Sequence, residues 1–117
     1  GMDLQQIEGL LKKSIALDDK LAEAHLQLGN LRSDQTRYAE AIPEYVRARE
    51  LSPDLADVHY RLGQAYVHTK QTELAQAELQ VYQRLRDEHL AEVDKQRAAI
   101  RQCVYSADDG AAAKGRL

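Results

Sequence analysis

Apolar residues recur at every third or fourth position over long stretches of the chain, with charged and amide residues between them. Leu and Ala keep this spacing from residue 21 to 31, and Tyr, Ala, Ile and Leu keep it from 38 to 51. Such spacing is typical of helices that bury one face. Cap and turn residues at 33–37 and the Ser-Pro-Asp run at 52–54 interrupt the pattern. The pattern therefore predicts two helices joined by a short turn.

The same pattern returns 34 residues further along the chain. Residues 22–55 laid over 56–89 give seven identities without a gap, and self-similarity at such a fixed period is the signature of a repeat protein. The register also extends backwards, so we expect a half-repeat over 4–21 before the two full repeats. The identical pairs are Ala22 and Ala56, His25 and His59, Leu28 and Leu62, Gly29 and Gly63, Ala41 and Ala75, Glu44 and Glu78, and Leu51 and Leu85.

The second repeat predicts helices over residues 55–67 and about 71–85. In the first repeat, Pro43 falls inside the second helix, near its start, where few backbone hydrogen bonds are lost. We therefore expect Pro43 to displace that helix slightly without breaking it.

A helix–turn–helix period of 34 residues resembles the tetratricopeptide repeat (TPR) family. The first repeat carries the family signature at His25, Leu28, Gly29, Ala41, Tyr45, Ala48 and Pro53. The second carries it at His59, Leu62, Gly63, Tyr66, Ala75 and Leu79, and departs from it at Tyr82 and Asp87. The resemblance covers about residues 4–89. It implies an all-α fold, a stack of antiparallel helix pairs in a right-handed superhelix, whose first helices line a concave groove.

The small residues of the signature have a physical reason. Glycine and alanine let two helix backbones approach closely, and a large side chain then fills the space beside them. We expect Gly29 and Gly63 to lie at such contacts, with Tyr45 and Leu79 filling the adjoining space.

Beyond the second repeat the pattern fails, because Gln96 and Arg97 stand where Leu-Gly belongs. The segment up to Tyr105 contains no Gly or Pro, which predicts a long C-terminal helix ending at about residue 105. This helix either continues from the second repeat or begins anew at a cap residue, Asp87. In both cases we expect it to cover the open end of the stack, as terminal caps do in repeat proteins.

The chain of 117 residues is long enough for one small domain, which we place at 1–106, followed by a poorly ordered tail at 107–117. Its 16 basic and 19 acidic residues are interspersed and give a net charge of −3. This balance disfavours nucleic acid and membranes as partners. We find neither a signal peptide nor a transmembrane segment in the sequence, and the compartment stays open. Gly1 before Met2 is typical of an expression scar, so we expect a fragment of a larger protein.

The residue types used in catalysis do not form a known motif. His25 and His59 occupy equivalent positions where a bulky packing residue is usual, so we interpret them as structural. No metal-binding, phosphate-binding or nucleophile motif is present. We therefore expect no catalytic residues, no metal and no cofactor.

The residues with a candidate binding role are those that the resemblance places on the groove side of the first helices. Asn30 and Gln64 are equivalent amides that can bond a peptide backbone in both directions, and Leu26 and Tyr60 would add apolar contact. The family's carboxylate clamp is not expected, because Leu26 stands where a clamp lysine belongs. The candidate groove residues are Glu23, Leu26, Gln27, Asn30, Asp57, Tyr60, Arg61 and Gln64.

These observations favour a non-catalytic protein–protein interaction module that binds a peptide or a helix in its groove. One alternative is a structural module that self-associates, as a homodimer through its exposed end surfaces, because so few repeats bury little core. A less favoured alternative is a metal-dependent enzyme built around the histidines.

Overall fold

The computed structural model describes residues 3–115, with side chains described over residues 3–107. Within residues 3–115 every regular element is a helix, so the predicted all-α fold is confirmed. The predicted helix bounds agree closely with those observed. The helices are α1 (Leu4–Leu17), α2 (Ala22–Asp34), α3 (Tyr38–Leu51), α4 (Ala56–His68) and α5 (Thr72–Gly115).

The chain divides into two compact units, Gly1–Leu85 and Arg86–Leu117. In the first unit, α1 packs against α2, α2 against α3, and α3 against α4, and α2 also touches α4. The rings of Tyr60 in α4 and Tyr82 in α5 lie 5.1 Å apart. The helices α2 and α3 thus form one pair, α4 and the start of α5 form the next, and α1 occupies the position of a second helix.

Local signals in the sequence fix the ends and the course of these helices. At the start of α1, Asp3 accepts a hydrogen bond from the backbone N–H of Gln6 at 2.8 Å, and the Gln6 side chain accepts one from the Asp3 N–H at 3.0 Å. Such a capping box satisfies backbone donors that have no partner inside the helix. Pro43 lies within α3, which continues through it to Leu51, so the expectation of an unbroken helix is confirmed.

The closest approach within each helix pair occurs at a glycine. A Cβ atom at Gly29 would lie 2.6 Å from Cε1 of Tyr45, and one at Gly63 would lie 2.8 Å from Cδ2 of Leu79. Neither position has room for a side chain, so the predicted close contacts are confirmed. Tyr45 is fully buried, whereas Leu79 is partly exposed. The core around these contacts consists of Leu26, Ala41, Tyr45, Ala48, Val58, Leu62, Ala65, Tyr66 and Ala75.

The turn inside each repeat contains a residue with left-handed backbone geometry. Thr36 has φ 59° and Lys70 has φ 63°, and the two residues are equivalent in the repeat register. A branched side chain in this region is strained, because its Cβ crowds the neighbouring carbonyl oxygen. The geometry is therefore imposed by the packing of the flanking helices rather than chosen by the residues themselves.

The long helix α5 runs through Asp87 without a break. Of the two alternatives that the sequence left open, the continuous helix is therefore the observed one. In the second unit, the apolar side chains of Leu90, Ile100 and Val104 are exposed. No helix in the described part of the chain is long and apolar enough to cross a membrane.

Two expectations about the C-terminal region remain predictions. These are the covering of the open end of the stack and the single domain over residues 1–106. The tail predicted over 107–117 lies, from residue 108 onward, outside the residues whose side chains are described.

We expect Gly29→Ala to lower the free energy of unfolding by about 1–3 kcal/mol, because the added methyl group overpacks the buried ring of Tyr45. Gly63→Ala should cost less, since the end of the partly exposed Leu79 side chain can move aside. Urea unfolding followed by circular dichroism measures both values.

The matched control for these variants is Gly9→Ala, on α1. A Cβ atom there meets no atom within 4 Å, so the change should raise stability by about 0.5–1 kcal/mol through helix propensity alone. Equal effects at Gly9 and Gly29 would contradict the close helix contact.

Thr36→Gly should stabilise the protein by about 1 kcal/mol, because glycine adopts the left-handed geometry without strain. Lys70→Gly should give a smaller gain, since lysine is not branched at Cβ. A lower thermal midpoint for Thr36→Gly than for the parent chain would show that the turn is not strained.

Candidate functional site

A polar cleft of about 120 Å³ lies between the two repeats, within the first unit. We call it the inter-repeat cleft. The end of α2, the face of α3 and the second half of α4 form its walls. It is lined by Ser33, Asp34, Tyr38, Tyr45, Arg61, Gln64, Ala65 and His68.

Arg61 is the side chain in this cleft whose bonding capacity is least used. Its Nε atom is buried and has no hydrogen-bond partner. Among the described residues, its guanidinium group forms no hydrogen bond or ion pair. A guanidinium presents five N–H donors in a planar fork that suits a carboxylate. The cleft therefore holds a cation with free donors.

The hydroxyl of Tyr45 forms the polar floor of the inter-repeat cleft. It donates a hydrogen bond to Oδ1 of Asn30 at 2.8 Å, and it accepts one from the hydroxyl of Ser33 at 2.9 Å. Burial raises the pKa of the Tyr45 hydroxyl above its ordinary value, and the hydrogen bond with Ser33 opposes this shift in part. The hydroxyl thus stays protonated and joins α2 to α3 beneath the cleft.

One side of the inter-repeat cleft is closed by two stacked rings. The rings of Tyr38 in α3 and His68 in α4 are parallel to within 5°, with centroids 4.0 Å apart. This contact holds the start of α3 against the end of α4. The expectation that His68 lies near the groove is thus joined by an aromatic neighbour, Tyr38, that sequence reasoning missed.

The expected groove residues of α2 have different fates in the structure. Glu23 and Gln27 are exposed, and the Gln27 amide donates to Oε1 of Glu23 at 2.8 Å. Asn30 is half-buried and engaged by Tyr45, so part of its bonding capacity serves the fold. Leu26 is only 2% exposed. The expectation that Leu26 offers apolar surface to a partner is wrong, because α2 is packed against α1, α3 and α4 and buries this side chain in the core.

The expected groove residues of α4 are more accessible. Asp57 is exposed, and the ring of Tyr60 is 37% exposed beside Tyr82. The amide of Gln64 donates to the Tyr60 hydroxyl at 2.9 Å. The structure thus brings Arg61 and Gln64 together in the inter-repeat cleft, with Tyr60 hydrogen-bonded to Gln64.

The two buried histidines have a role that sequence reasoning stated only as packing. Nδ1 of His25 lies 2.8 Å from Oε2 of Glu44, and its Nε2 lies 2.8 Å from the carbonyl oxygen of Asp19. A carbonyl oxygen only accepts, so Nε2 must carry the hydrogen. His25 thereby joins the turn before α2 to α3.

The second repeat forms the same joint with equivalent residues. Nδ1 of His59 lies 2.6 Å from Oε2 of Glu78, and its Nε2 lies 2.7 Å from the carbonyl oxygen of Pro53. Arg49 of α3 also bonds Glu78. The signal that could have revealed this pairing is the joint recurrence of His and Glu at the repeat period.

Two family models match the sequence over this region. One is described as a TPR repeat and matches residues 30–69, and the other is described as a tetratricopeptide repeat and matches residues 56–89. The chain is a TPR helical repeat protein. No curated protein sequence matches it.

Three solved structures show the likeness of this TPR fold to known ones. A crystal structure of MamA superposes with a TM-score of 0.71 at 19% identity, covering 75% of this chain and 52% of that one. A second MamA structure gives a TM-score of 0.67 at 19% identity, with 75% and 48% covered. The structure of YrrB, titled a TPR protein with an unusual peptide-binding site, gives 0.62 at 22% identity, with 74% and 45% covered. The chain spans about half the length of these structures.

Replacing Tyr45 by Phe should lower the free energy of unfolding by about 1–2 kcal/mol, because Asn30 and Ser33 lose their shared partner. The raised pKa of Tyr45 predicts a change in pH dependence as well. Above the ordinary tyrosine pKa of about 10, the unfolded chain loses this proton while the folded chain keeps it, so stability falls as the pH rises.

This fall should be smaller in Tyr45→Phe than in the parent chain. Urea unfolding between about pH 8 and pH 11 measures it, in a range that brackets the ordinary tyrosine value. Identical pH dependence in the two proteins would show that the Tyr45 hydroxyl does not titrate as its burial requires.

Proposed function

We propose that this TPR chain is a non-catalytic protein–protein interaction module that binds a peptide or a helix of a partner along α2 and α4. The observation that carries the proposal is Arg61, a cation with unused donors in a polar cleft between two repeats. An unpaired charge that is partly withdrawn from water is unfavourable, and a ligand carboxylate relieves that cost. We therefore propose that one acidic side chain of the partner enters the inter-repeat cleft.

The surrounding charges support a ligand with a single acid rather than an acidic run. Glu23 and Asp57 are exposed on the same two helices, and Asp34 lines the cleft itself. Like charges across an interface are costly, so a ligand with several carboxylates would be repelled.

The remaining groove residues supply contacts of other kinds. Tyr60 offers an exposed aromatic ring, and aromatic and arginine side chains are enriched among interface anchors. Gln27 and Gln64 offer amides that can bond a peptide backbone. The proposed binding residues are Glu23, Gln27, Asn30, Asp57, Tyr60, Arg61 and Gln64, without Leu26.

The comparisons support an interaction role of this kind at the level of the family. YrrB is titled a TPR protein with a peptide-binding site, and the fold here is similar to it. Because the chain spans about half the length of these structures, we also propose that it is part of a larger protein.

Peptides selected from a displayed random library for binding to this chain should share an Asp or Glu at a fixed position. Arg61→Ala should weaken their binding about tenfold or more, because a charge-assisted hydrogen bond contributes roughly 1.5–3 kcal/mol. Fluorescence anisotropy with the labelled peptides measures the dissociation constants.

The matched control is Arg84→Ala, which removes the same charge from an exposed position on α5. It should leave binding unchanged. Selected peptides without a shared acid, or equal losses in the two variants, would refute the role of Arg61.

A further inference from the structure

A second cleft lies one repeat earlier, between α1 and α2. We call it the amino-terminal cleft, and its volume is about 280 Å³. It is the counterpart of the inter-repeat cleft, since five of its lining residues precede lining residues of that cleft by one repeat period. The corresponding pairs are Leu11 and Tyr45, Gln27 and Arg61, Asn30 and Gln64, Leu31 and Ala65, and Asp34 and His68.

The two clefts differ in one wall. In the inter-repeat cleft, Ser33 and Asp34 at the end of α2 supply a wall from the preceding first helix. Among the described residues, no first helix precedes α1, and the amino-terminal cleft is the larger of the two. The internal repeat thus shows which kind of element completes such a cleft: a helix packed against α1 as α2 is packed against α3.

The face of α1 that such a helix would cover is open and apolar. Leu10 is 50% exposed, and the space beside Gly9 is empty out to 4 Å. None of the side chains of α1 is buried. In the repeat register, α1 corresponds to α3, where Ala41, Tyr45 and Ala48 are fully buried between two first helices.

We propose that this face of α1 binds an amphipathic helix from a partner protein, antiparallel to α1, in the position of a first helix. This second binding surface is separate from the inter-repeat cleft. The repeat itself defines the chemistry of the helix that fits there.

The first requirement is an apolar residue on the partner helix where the repeats have histidine. Glu44 and Glu78 accept from His25 and His59, and the residue one period before Glu44 is Leu10. A leucine offers no hydrogen bond to an imidazole, so an apolar side chain fits opposite Leu10 better than histidine does.

The second requirement is an acid just before the partner helix. Arg47 of α3 lies 3.7 Å from the carboxylate of Asp19, in the turn before α2. Lys13 of α1 is the exposed counterpart of Arg47 one period earlier. A carboxylate in the first turn of the partner helix would therefore pair with Lys13 as Asp19 pairs with Arg47, and it would also suit the dipole of that helix.

The probe for this surface is a synthetic peptide of residues 18–37, which is the protein's own first helix with its preceding acids. We compare this peptide with the same peptide carrying His25→Leu, by calorimetry on the intact chain. The leucine peptide should bind about tenfold more tightly, because it buries one more apolar side chain against Leu10. Leu10→Glu in the protein should reverse the preference, because it recreates the His–Glu pair of the two repeats.

Leu74→Glu is the matched control, since Leu74 is 49% exposed on α5, away from α1. It should preserve the preference for the leucine peptide. Equal binding of both peptides, no binding, or a preference that Leu10→Glu leaves unchanged would overturn the proposal. Light scattering covers the other occupant: a dimer that Leu10→Glu converts to a monomer would mean that a second copy, rather than a partner helix, covers α1.

Discussion

The contact between the two helices of a pair at its glycine is the constraint on which the rest of the first unit depends. Because Gly29 has no side chain, the ring of Tyr45 can lie directly against α2. Its hydroxyl then reaches Asn30 and Ser33, which fixes the floor of the inter-repeat cleft. Arg61 lines that cleft because α4 packs on α3 at the distance that the buried ring allows. A change at one glycine would therefore alter both packing and the binding surface.

The histidine joints solve a different problem, which is the orientation of one helix pair relative to the next. A turn before a first helix has backbone carbonyls that no helix satisfies. In each repeat a buried histidine binds one of these carbonyls and a glutamate of the following helix at once. The imidazole is suited to this because its two nitrogens point in opposite directions, so one ring bridges two elements.

Periodicity predicted the helices and their pairing well, because a repeat states each spacing twice. Gly29 and Gly63 were predicted at close contacts for this reason, and the absence of Gly and Pro predicted the long α5. The error at Leu26 has a physical cause: the side of a helix that faces a groove is decided by how closely its neighbours pack, and periodicity does not encode that distance. Tyr38 and Ser33 were missed because they act through geometry at helix ends, where no residue pattern marks a partner.

The lack of buried side chains on α1 has a consequence for motion. Helices in repeat arrays are stabilised mainly by their nearest neighbours, and α1 has one such neighbour, α2, among the described helices. Its amide hydrogens should therefore exchange with solvent sooner than those of α2 and α3, by local opening rather than global unfolding. A helix seated on α1 would slow that exchange, so this edge of the array can report occupancy through its own dynamics.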